Sequence, residues 1–282
     1  MSPARQVCLY QDNPNHFVSV QLAVLSILEH EPLWHIHVSI PNCPAWLGRW
    51  LTQFNSVSLY NKNYGQSGWD VKPEVLLSFL DLLQEEVMWF DSDIILTAPV
   101  SPHISRFPAS TLIVAEEPRG RFPSGSVFRT SGWGQTIGRS IDKSINSGFI
   151  RVSNDHRRLI CAWREALTDE RYRKSQQLDW WLRPGPFYGD QDALSALLGS
   201  KDYSDVALAF LQNGVQIAQC HEAGGYSWQH RIVNVLRGCP PLVHAQGKKP
   251  WLQEGRALVY LDVSPYKLVA FRYKDDIWIQ NG

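Results

Sequence analysis

The sequence has no net charge, because 27 lysines and arginines balance 27 aspartates and glutamates among its 282 residues. A chain without an excess of basic residues is not expected to have nucleic acid or an anionic membrane as its main partner. The five cysteines show no C-x-x-C spacing and leave one over, which favours reduced thiols over disulfides. The spacing of Cys220, His221, His230 and His244 fits no closed zinc site.

Long hydrophobic runs are also lacking. The early apolar stretch, residues 17–28, is interrupted by Ser19, Gln21 and Ser26 and is too short to span a bilayer. No small-residue cleavage site of the kind that ends a secretory signal follows it. The sequence therefore predicts a soluble, cytoplasmic protein with no membrane span.

Strand and helix patterns alternate along the N-terminal part of the chain. Predicted strands cover residues 7–10, 34–40, 57–60 and 86–90, and predicted helices cover residues 17–29, 44–54 and 73–83. This alternation predicts an α/β fold with a doubly wound sheet, in which ligands bind beyond the carboxyl ends of the strands. Residues 1–252 are expected to form one domain of this class, and residues 253–282 a C-terminal β extension.

Two carboxylates end the fourth predicted strand. Asp91 and Asp93 follow the hydrophobic residues 87–90 and are separated by Ser92. Residues i and i+2 of an extended backbone point to the same side, so the two carboxylates can converge on one point. Such convergence is costly unless a positive charge lies between them, and Mg²⁺ or Mn²⁺ prefers these oxygen ligands. The alternative interpretation is that Asp91 caps a turn and Asp93 faces solvent.

Three further segments follow in order: Asn146-Ser147-Gly148, Asp190-Gln191-Asp192, and His244-Ala245-Gln246-Gly247 with Lys249-Pro250-Trp251 after it. Together with Asp91-Ser92-Asp93, these segments resemble the nucleotide-sugar glycosyltransferases of the GT-A fold. The resemblance is greatest to the retaining galactosyl- and glucosyltransferases of glycosyltransferase family 8, and it covers residues 5–252. It implies a Rossmann-like mixed sheet and a metal-dependent hexosyltransferase.

The resemblance also implies roles for individual residues. Asp91, Asp93 and His244 would bind a Mn²⁺ or Mg²⁺ ion. Asp190 and Gln191 would be the catalytic residues, with Asp190 on the sugar hydroxyls and Gln191 beside the anomeric carbon. The residues implied to contact the nucleotide-sugar donor are Tyr10, Asp12, Asn13, Lys72, Asp91, Ser92, Asn146, Ser147, Gly148, Gly247 and Lys249. The donor is expected to be UDP-linked, and the acceptor to be the hydroxyl of a saccharide or another molecule.

Several of these assignments have alternatives. Asn146 could belong to a strand-entry turn, and Asp190 could be the N-cap of a helix. Asp192 is expected to face away from the substrate, yet Asp190 or Asp192 could be the base of an inverting enzyme. A non-catalytic sugar-nucleotide-binding module on the same fold is a further alternative. Only Lys248 separates Gly247 from Lys249, where the family commonly has two residues, so the lysine that meets the diphosphate is open.

Two regions depart from the strand–helix alternation. Residues 116–144 are rich in Gly, Pro and Arg and are expected to form a mobile loop that closes over the donor as a lid. Residues 253–282 carry strand-like segments that either close the sheet or pair with another subunit to give a homo-oligomer. Trp180-Trp181 and residues 221–230 are candidate acceptor platforms, with core or interface positions as the alternative.

Overall fold

The computed structural model describes residues 5–117, 125–219, 232, 233 and 236–246. The strands in this part are β1 (Gln6–Tyr10), β2 (His35–Ser39), β3 (Val57–Tyr60), β4 (Val87–Asp91), β5 (Ile94–Leu96), β6 (Leu112–Glu116), β7 (Ile145–Val152), β8 (Leu208–Leu211), β9 (Ile217–Gln219) and β10 (Leu242–His244). The helices are α1 (Phe17–His30), α2 (Ala45–Leu51), α3 (Lys72–Leu83), α4 (Ser101–Ile104), α5 (Val127–Gly132), α6 (Arg157–Ala166), α7 (Glu170–Gln176) and α8 (Asp190–Gly199). All seven predicted N-terminal elements are present, and their ends differ from the predicted ones by a few residues.

Seven strands form a mixed sheet in the order β3-β2-β1-β4-β7-β6-β8. β1, β2 and β3 pair in parallel, with Val7 opposite Ile36 and Ile36 opposite Val57. β6 and β7 are antiparallel, and their register shifts between Val114 and Ala115. The parallel strands are joined by α1 and α2, and the inner strands are rich in buried apolar residues, as in sheets covered on both faces. The predicted doubly wound α/β class is confirmed.

A smaller sheet has the order β5-β10-β9, in which β10 is antiparallel to β5 and parallel to β9. Helix α1 packs against β5. Ser26, one of the polar residues that interrupt the apolar pattern of α1, accepts the Leu96 N–H at 3.0 Å. This hydroxyl therefore satisfies a buried backbone donor of the small sheet, which explains a polar residue on the buried side of α1.

The chain divides into two compact units. Unit 1 comprises residues 1–63, 90–106 and 211–282, and unit 2 comprises residues 64–89 and 107–210. Among the residues that the structure describes, no helix combines the length and apolar character needed to cross a membrane. Residues 253–282 lie outside the described residues, so the C-terminal β extension and the homo-oligomer that it would form stay predictions.

The expectation of one irregular loop over residues 116–144 is wrong in part, because Val127–Gly132 forms α5. Helix α5 packs against α8 in unit 2, and the Thr130 hydroxyl donates to the Ala196 carbonyl at 3.0 Å. A side chain on Gly132 would collide with the Pro186 ring, and one on Gly138 would collide with the Lys201 backbone. These glycines therefore serve close packing. Residues 118–124 lie outside the described residues, and the closing motion stays a prediction.

Candidate active site

Three potential metal ligands converge in unit 1, where β4 leads into β5. Asp91 is the last residue of β4, and a turn containing Asp93 connects it to Ile94 of β5. The antiparallel pairing of β10 with β5 puts His244 opposite Ile94, and the Ala245 N–H donates to the Asp93 carbonyl at 3.0 Å. Ligand atoms of Asp91, Asp93 and His244 all lie within 4.8 Å of one another. We call these three residues the metal-ligand cluster. Its two carboxylates are brought together by a turn, and not by the extended backbone that the sequence predicted.

The spacing of the metal-ligand cluster suits a hard divalent cation. His244 Nε2 lies 3.2 Å from Asp93 Oδ1 and 3.7 Å from Asp91 Oδ2. A hard divalent cation would be held there by the two carboxylates and the imidazole together. His244 is buried, whereas both carboxylates are partly exposed, as a site shared with substrate oxygens requires. Two carboxylates and an imidazole fit Mn²⁺ or Mg²⁺.

Two glutamines orient the imidazole of His244. The parallel register of β9 and β10 places Gln219 beside His244. Gln219 Oε1 lies 2.8 Å from His244 Nδ1 and accepts from Gln246 Nε2 at 2.7 Å. Because an amide oxygen only accepts, we assign the ring proton to Nδ1, which leaves on Nε2 the lone pair that a metal needs. Gln246 Nε2 is also 3.2 Å from Nδ1, but with the proton on Nδ1 both atoms are donors, so Gln246 acts on the imidazole through Gln219.

Residues of the loop that follows β1 reach the turn between the two aspartates. Gln11 Nε2 donates to Ser92 Oγ at 2.7 Å, and Gln11 Oε1 accepts the Asn13 N–H at 2.9 Å. The Tyr10 hydroxyl donates to Asp12 Oδ2 at 3.3 Å. The predicted nucleotide contact Asn13 and the Ser92 turn are thus joined in unit 1 by hydrogen bonds to one side chain. Gln11, which connects them, was missed by the sequence analysis.

A second polar cluster lies in unit 2 and joins α3, β7 and α8. Lys72 Nζ donates to Ser147 Oγ at 2.8 Å and lies 3.4 Å from Asp190 Oδ2. Ser147 Oγ donates to the same Asp190 oxygen at 2.7 Å. All three side chains are buried, so the Lys72 charge compensates the Asp190 carboxylate. We call Lys72, Ser147 and Asp190 the Asp190 cluster. Because Gly189 is the N-cap residue of α8, the N-cap interpretation of Asp190 is wrong.

Asn146 precedes Ser147 inside β7, so the alternative of a strand-entry turn is wrong. The Asn146 amide nitrogen donates to Glu117 Oε2, and its oxygen accepts the Gly148 N–H at 2.9 Å. The side chain is buried, and its two hydrogen bonds fix which end of the amide is the donor. Glu117, which follows β6, was not predicted and is recognised only through this contact.

Asp192 is held by hydrogen bonds within unit 2, and its orientation relative to the substrate stays a prediction. Its Oδ1 accepts from Arg129 Nε at 2.5 Å, and its Oδ2 accepts the Gly189 N–H at 3.0 Å. Burial raises the pKa of Asp192 to about 6, against the opposing effect of Arg129. Gln191 is half-buried, and its backbone carbonyl accepts the Ser195 hydroxyl at 2.7 Å.

Asp70 was missed by the sequence analysis although it lies two residues before Lys72. The Tyr172 hydroxyl donates to Asp70 Oδ1 at 2.6 Å. Burial, with a smaller effect of the Asp190 charge, raises the pKa of Asp70 to about 6 against the Tyr172 hydrogen bond and the Lys72 charge. Burial also raises the pKa of Tyr172, so this hydroxyl remains a donor at neutral pH. Asp70 therefore extends the electrostatics of the Asp190 cluster.

Two predicted donor contacts, Gly247 and Lys249, lie outside the described residues, and their roles stay predictions. The residues whose contribution the sequence analysis missed are Gln11, Asp70, Glu117, Arg129, Tyr172, Gln219 and Gln246. Asp70 carried a sequence signal, since a carboxylate close before a predicted donor-contacting lysine is a reasonable partner for it, and Gln246 lies inside a motif segment.

Comparison with known proteins gave no matching family model and no match among curated proteins. Solved structures do match. This chain is similar to the apo structure of the bifunctional glycosyltransferase WbbM, and the match covers 99% of this chain with 14% identity and a TM-score of 0.66. The chain spans 52% of the WbbM chain.

Two further structures have comparable similarity. The galactosyltransferase LgtC, in complex with donor and acceptor sugar analogues, matches over 95% of both chains with 13% identity and a TM-score of 0.58. The glycosyltransferase GlyE of Streptococcus pneumoniae TIGR4 matches over 98% of this chain and 64% of its own, with 16% identity and a TM-score of 0.54. This chain therefore has the GT-A fold of nucleotide-sugar glycosyltransferases, and LgtC belongs to the predicted family 8 group. All three matched proteins are glycosyltransferases, in agreement with the predicted class of enzyme.

Proposed function

We propose that this protein is a metal-dependent glycosyltransferase that moves a hexose from a UDP-linked donor to a saccharide or other hydroxyl, with retention of configuration. The observation that carries the proposal is the metal-ligand cluster, in which Asp91, Asp93 and a correctly oriented His244 imidazole meet at ligand spacing. A non-catalytic module would have no need of this set. The GT-A fold supplies the general expectation of a nucleotide-sugar donor.

Charge on the departing diphosphate is the largest catalytic demand of this reaction, and a divalent cation on the metal-ligand cluster would neutralise it as a Lewis acid. Asp91 and Asp93 would hold the cation through carboxylate oxygens, and His244 through Nε2. The Gln219 hydrogen bond keeps the imidazole in the required tautomer. Ser92 and the loop that follows β1 would contact the ribose and base.

The Asp190 cluster would orient the transferred hexose. A carboxylate accepts hydrogen bonds from hydroxyls, and the positive charge of Lys72 lies 3.4 Å from Asp190 Oδ2. Asn146, fixed by Glu117 and by the Gly148 N–H, would present a polar group of known orientation to the sugar. Ser147 connects these elements through its bond to Asp190.

Retention is supported by the state of the Asp192 carboxylate on α8. Both Asp192 oxygens are engaged, by Arg129 and by the Gly189 N–H, so Asp192 is not poised as a base for an acceptor. The acceptor hydroxyl would then attack on the face that the diphosphate leaves, and its proton would pass to the departing phosphate oxygen. Gln191 would stabilise positive charge at the anomeric carbon through its amide oxygen. Another matched structure is an active-site variant of LgtC in which a glutamine is replaced by glutamate.

For the location we propose the cytoplasm, where reduced cysteines are the norm. The four described cysteines, at positions 8, 43, 161 and 239, are free thiols.

The test measures metal binding and activity separately. Isothermal titration with Mn²⁺ is expected to show one site in the wild-type protein, and UDP-hexose hydrolysis or transfer is expected to require Mn²⁺ or Mg²⁺. Asp93→Ala should lose both the site and the activity while its circular dichroism remains that of the wild type. Asp81→Ala is the matched control, because the Asp81 side chain is 58% exposed and pairs with Arg157 at the surface. Full activity in excess chelator would refute the metal-dependent mechanism.

A further inference from the structure

Unit 2 carries a cluster of exposed aromatic side chains that the proposed donor site does not use. Trp69 precedes α3 and is 43% exposed; Trp180, on a 3₁₀ turn after α7, is 48% exposed. Trp181 is 64% exposed. Large aromatic side chains are normally core residues, so several exposed ones in one unit indicate a binding surface.

The rings of Trp69 and Trp180 are held in a fixed arrangement. Their centroids are 6.1 Å apart at an interplanar angle of 56°, and Trp180 packs edge-on against Tyr188 at 4.3 Å. The Arg183 guanidinium lies 5.6 Å from both tryptophan rings. We call Trp69, Trp180 and Arg183 the aromatic platform. Because these contacts hold the two partly exposed rings in place, little side-chain entropy is lost when a ligand covers their exposed surface.

Arg183 is itself anchored by the chain that surrounds it. Its donors reach Gln176 Oε1 and the carbonyls of Gln176, Leu178 and Tyr188 at 2.5–3.2 Å. These hydrogen bonds to the protein fix the position of the guanidinium, which lies over both tryptophan rings. The aromatic platform is therefore a built feature of unit 2 and not a pair of loose side chains.

The aromatic platform is continuous with the Asp190 cluster. Trp69 is followed by Asp70, which accepts the Tyr172 hydroxyl and is close enough to Asp190, Lys72 and Arg183 to be affected by their charges. A second carboxylate, Asp179, directly precedes Trp180 and is exposed. Each ring thus has a carboxylate as its sequence neighbour. Flat apolar faces beside hydroxyl-binding oxygens match a pyranose, whose C–H face is apolar and whose rim consists of hydroxyls.

We propose that the aromatic platform is a saccharide subsite in which Trp69 and Trp180 stack on a hexose ring of an oligosaccharide acceptor. This assignment rests on the proposed function and narrows its acceptor from any hydroxyl compound to a glycan of at least two sugar rings: one ring at the reaction centre and one on the aromatic platform. A membrane surface is the less favoured ligand of the aromatic platform. Asp70 and Asp179 adjoin the two rings in sequence, and their charges would repel an anionic lipid surface. Trp181, the most exposed of these tryptophans, does not belong to the aromatic platform. Its replacement therefore distinguishes saccharide binding from membrane binding in an experiment.

The experiment probes an array of immobilised oligosaccharides built from glucose, galactose and N-acetylglucosamine. Wild-type protein is expected to bind at least one of them in the presence of UDP and Mn²⁺. Trp69→Ala and Trp180→Ala should each weaken that binding about tenfold, the loss expected for one aromatic contact. Trp180→Phe should recover most of it, and Trp181→Ala should change it by less than about twofold. Thermal melts of every variant establish that the fold is retained, and Trp69→Ala tests the subsite independently of Trp180.

Failure of this inference is distinguishable from failure of the proposed function, because Mn²⁺-dependent UDP binding is measured by calorimetry on the same variants. Intact UDP binding with no saccharide bound by the wild-type protein would overturn the saccharide subsite alone. Equal saccharide binding by the wild type and by both platform variants would also overturn it. Vesicles of phosphatidylglycerol and phosphatidylethanolamine are the third arm, and sedimentation with them that Trp181→Ala abolishes would replace the saccharide by a membrane surface.

Discussion

Replacement of Arg129 by methionine should destabilise the protein by about 4 kcal/mol, because it removes one partner of a buried ion pair and leaves a carboxylate without compensation. The Arg129 and Asp192 side chains are only 8% and 4% exposed, and Arg129 also donates to the Gly125 carbonyl at 2.7 Å. For a chain of this size, such a loss should lower the Tm by roughly 10 °C. The double variant Arg129→Met/Asp192→Asn should recover much of the loss, because the asparagine oxygen still accepts the Gly189 N–H and no buried charge remains.

Urea unfolding followed by circular dichroism measures these free energies. The matched control is Arg157→Met, since the Arg157–Asp81 pair is 44% and 58% exposed and its attraction is screened by solvent. An Arg129→Met variant no less stable than the control would refute the description of a buried, interdependent pair. Transfer activity supplies the second readout. A double variant that is folded but inactive would make Asp192 the catalytic base and would replace the retaining mechanism by the inverting one.

Three further predictions concern Asp70, Gln219 and Gln191. Burial raises the folded-state pKa of Asp70 from 3.8 to about 6, so protonated Asp70 favours the folded state. The stability of the wild type relative to Asp70→Asn should therefore be fully present below pH 4 and fall by about 2–3 kcal/mol as the pH rises through 6. Urea titrations at several pH values measure this difference in stability, and a difference that does not change with pH would contradict the prediction. Gln219→Leu should weaken Mn²⁺ binding about 10- to 100-fold by calorimetry, whereas the exposed Gln212→Leu should leave it unchanged. An α-linked UDP-hexose should give an α-linked product, which proton NMR of the product identifies. A β-linked product would instead assign the role of base to Asp190 or Asp192. Gln191→Ala should raise the activation free energy of transfer by about 2–4 kcal/mol without abolishing turnover.

Much of the fold was predictable because hydrophobic periodicity is strong where strands and helices alternate. The predicted strand at residues 57–60 coincides with β3, and residues 17–29 coincide with α1 to within one residue. Helix α1 buries a broad apolar face, and β3 alternates apolar and polar residues with Val57 buried; the pattern reports such periodicity. The order of the motifs then indicated the fold family, and the solved structures agree.

Helix α5 was not predicted because its sequence has no local helix signal. Val127, Thr130 and Gly132 are poor helix formers, and no side chain caps its N-terminus. Packing against α8 stabilises it, through the Thr130 hydroxyl and the close approach of Gly132 to Pro186. Neither partner lies near α5 in sequence, so periodicity could not reveal the helix.

The metal-ligand cluster shows why its ligands were predictable and their geometry was not. Short motifs identified Asp91, Asp93 and His244, but the position of His244 depends on the pairing of β10 with β5. Leu242 lies opposite Leu96 and Val243 opposite Ile95, and all four side chains are fully buried. A shift of this pairing by one residue would turn His244 to the other face of the sheet and expose apolar side chains to the carboxylates. The burial of these four residues therefore fixes the strand register that positions His244 beside the two carboxylates. The same strand register, through β9, supplies the Gln219 that sets the imidazole tautomer. The Mn²⁺ affinity of the metal-ligand cluster should thus respond to apolar substitutions in the small sheet, at positions away from the three ligands.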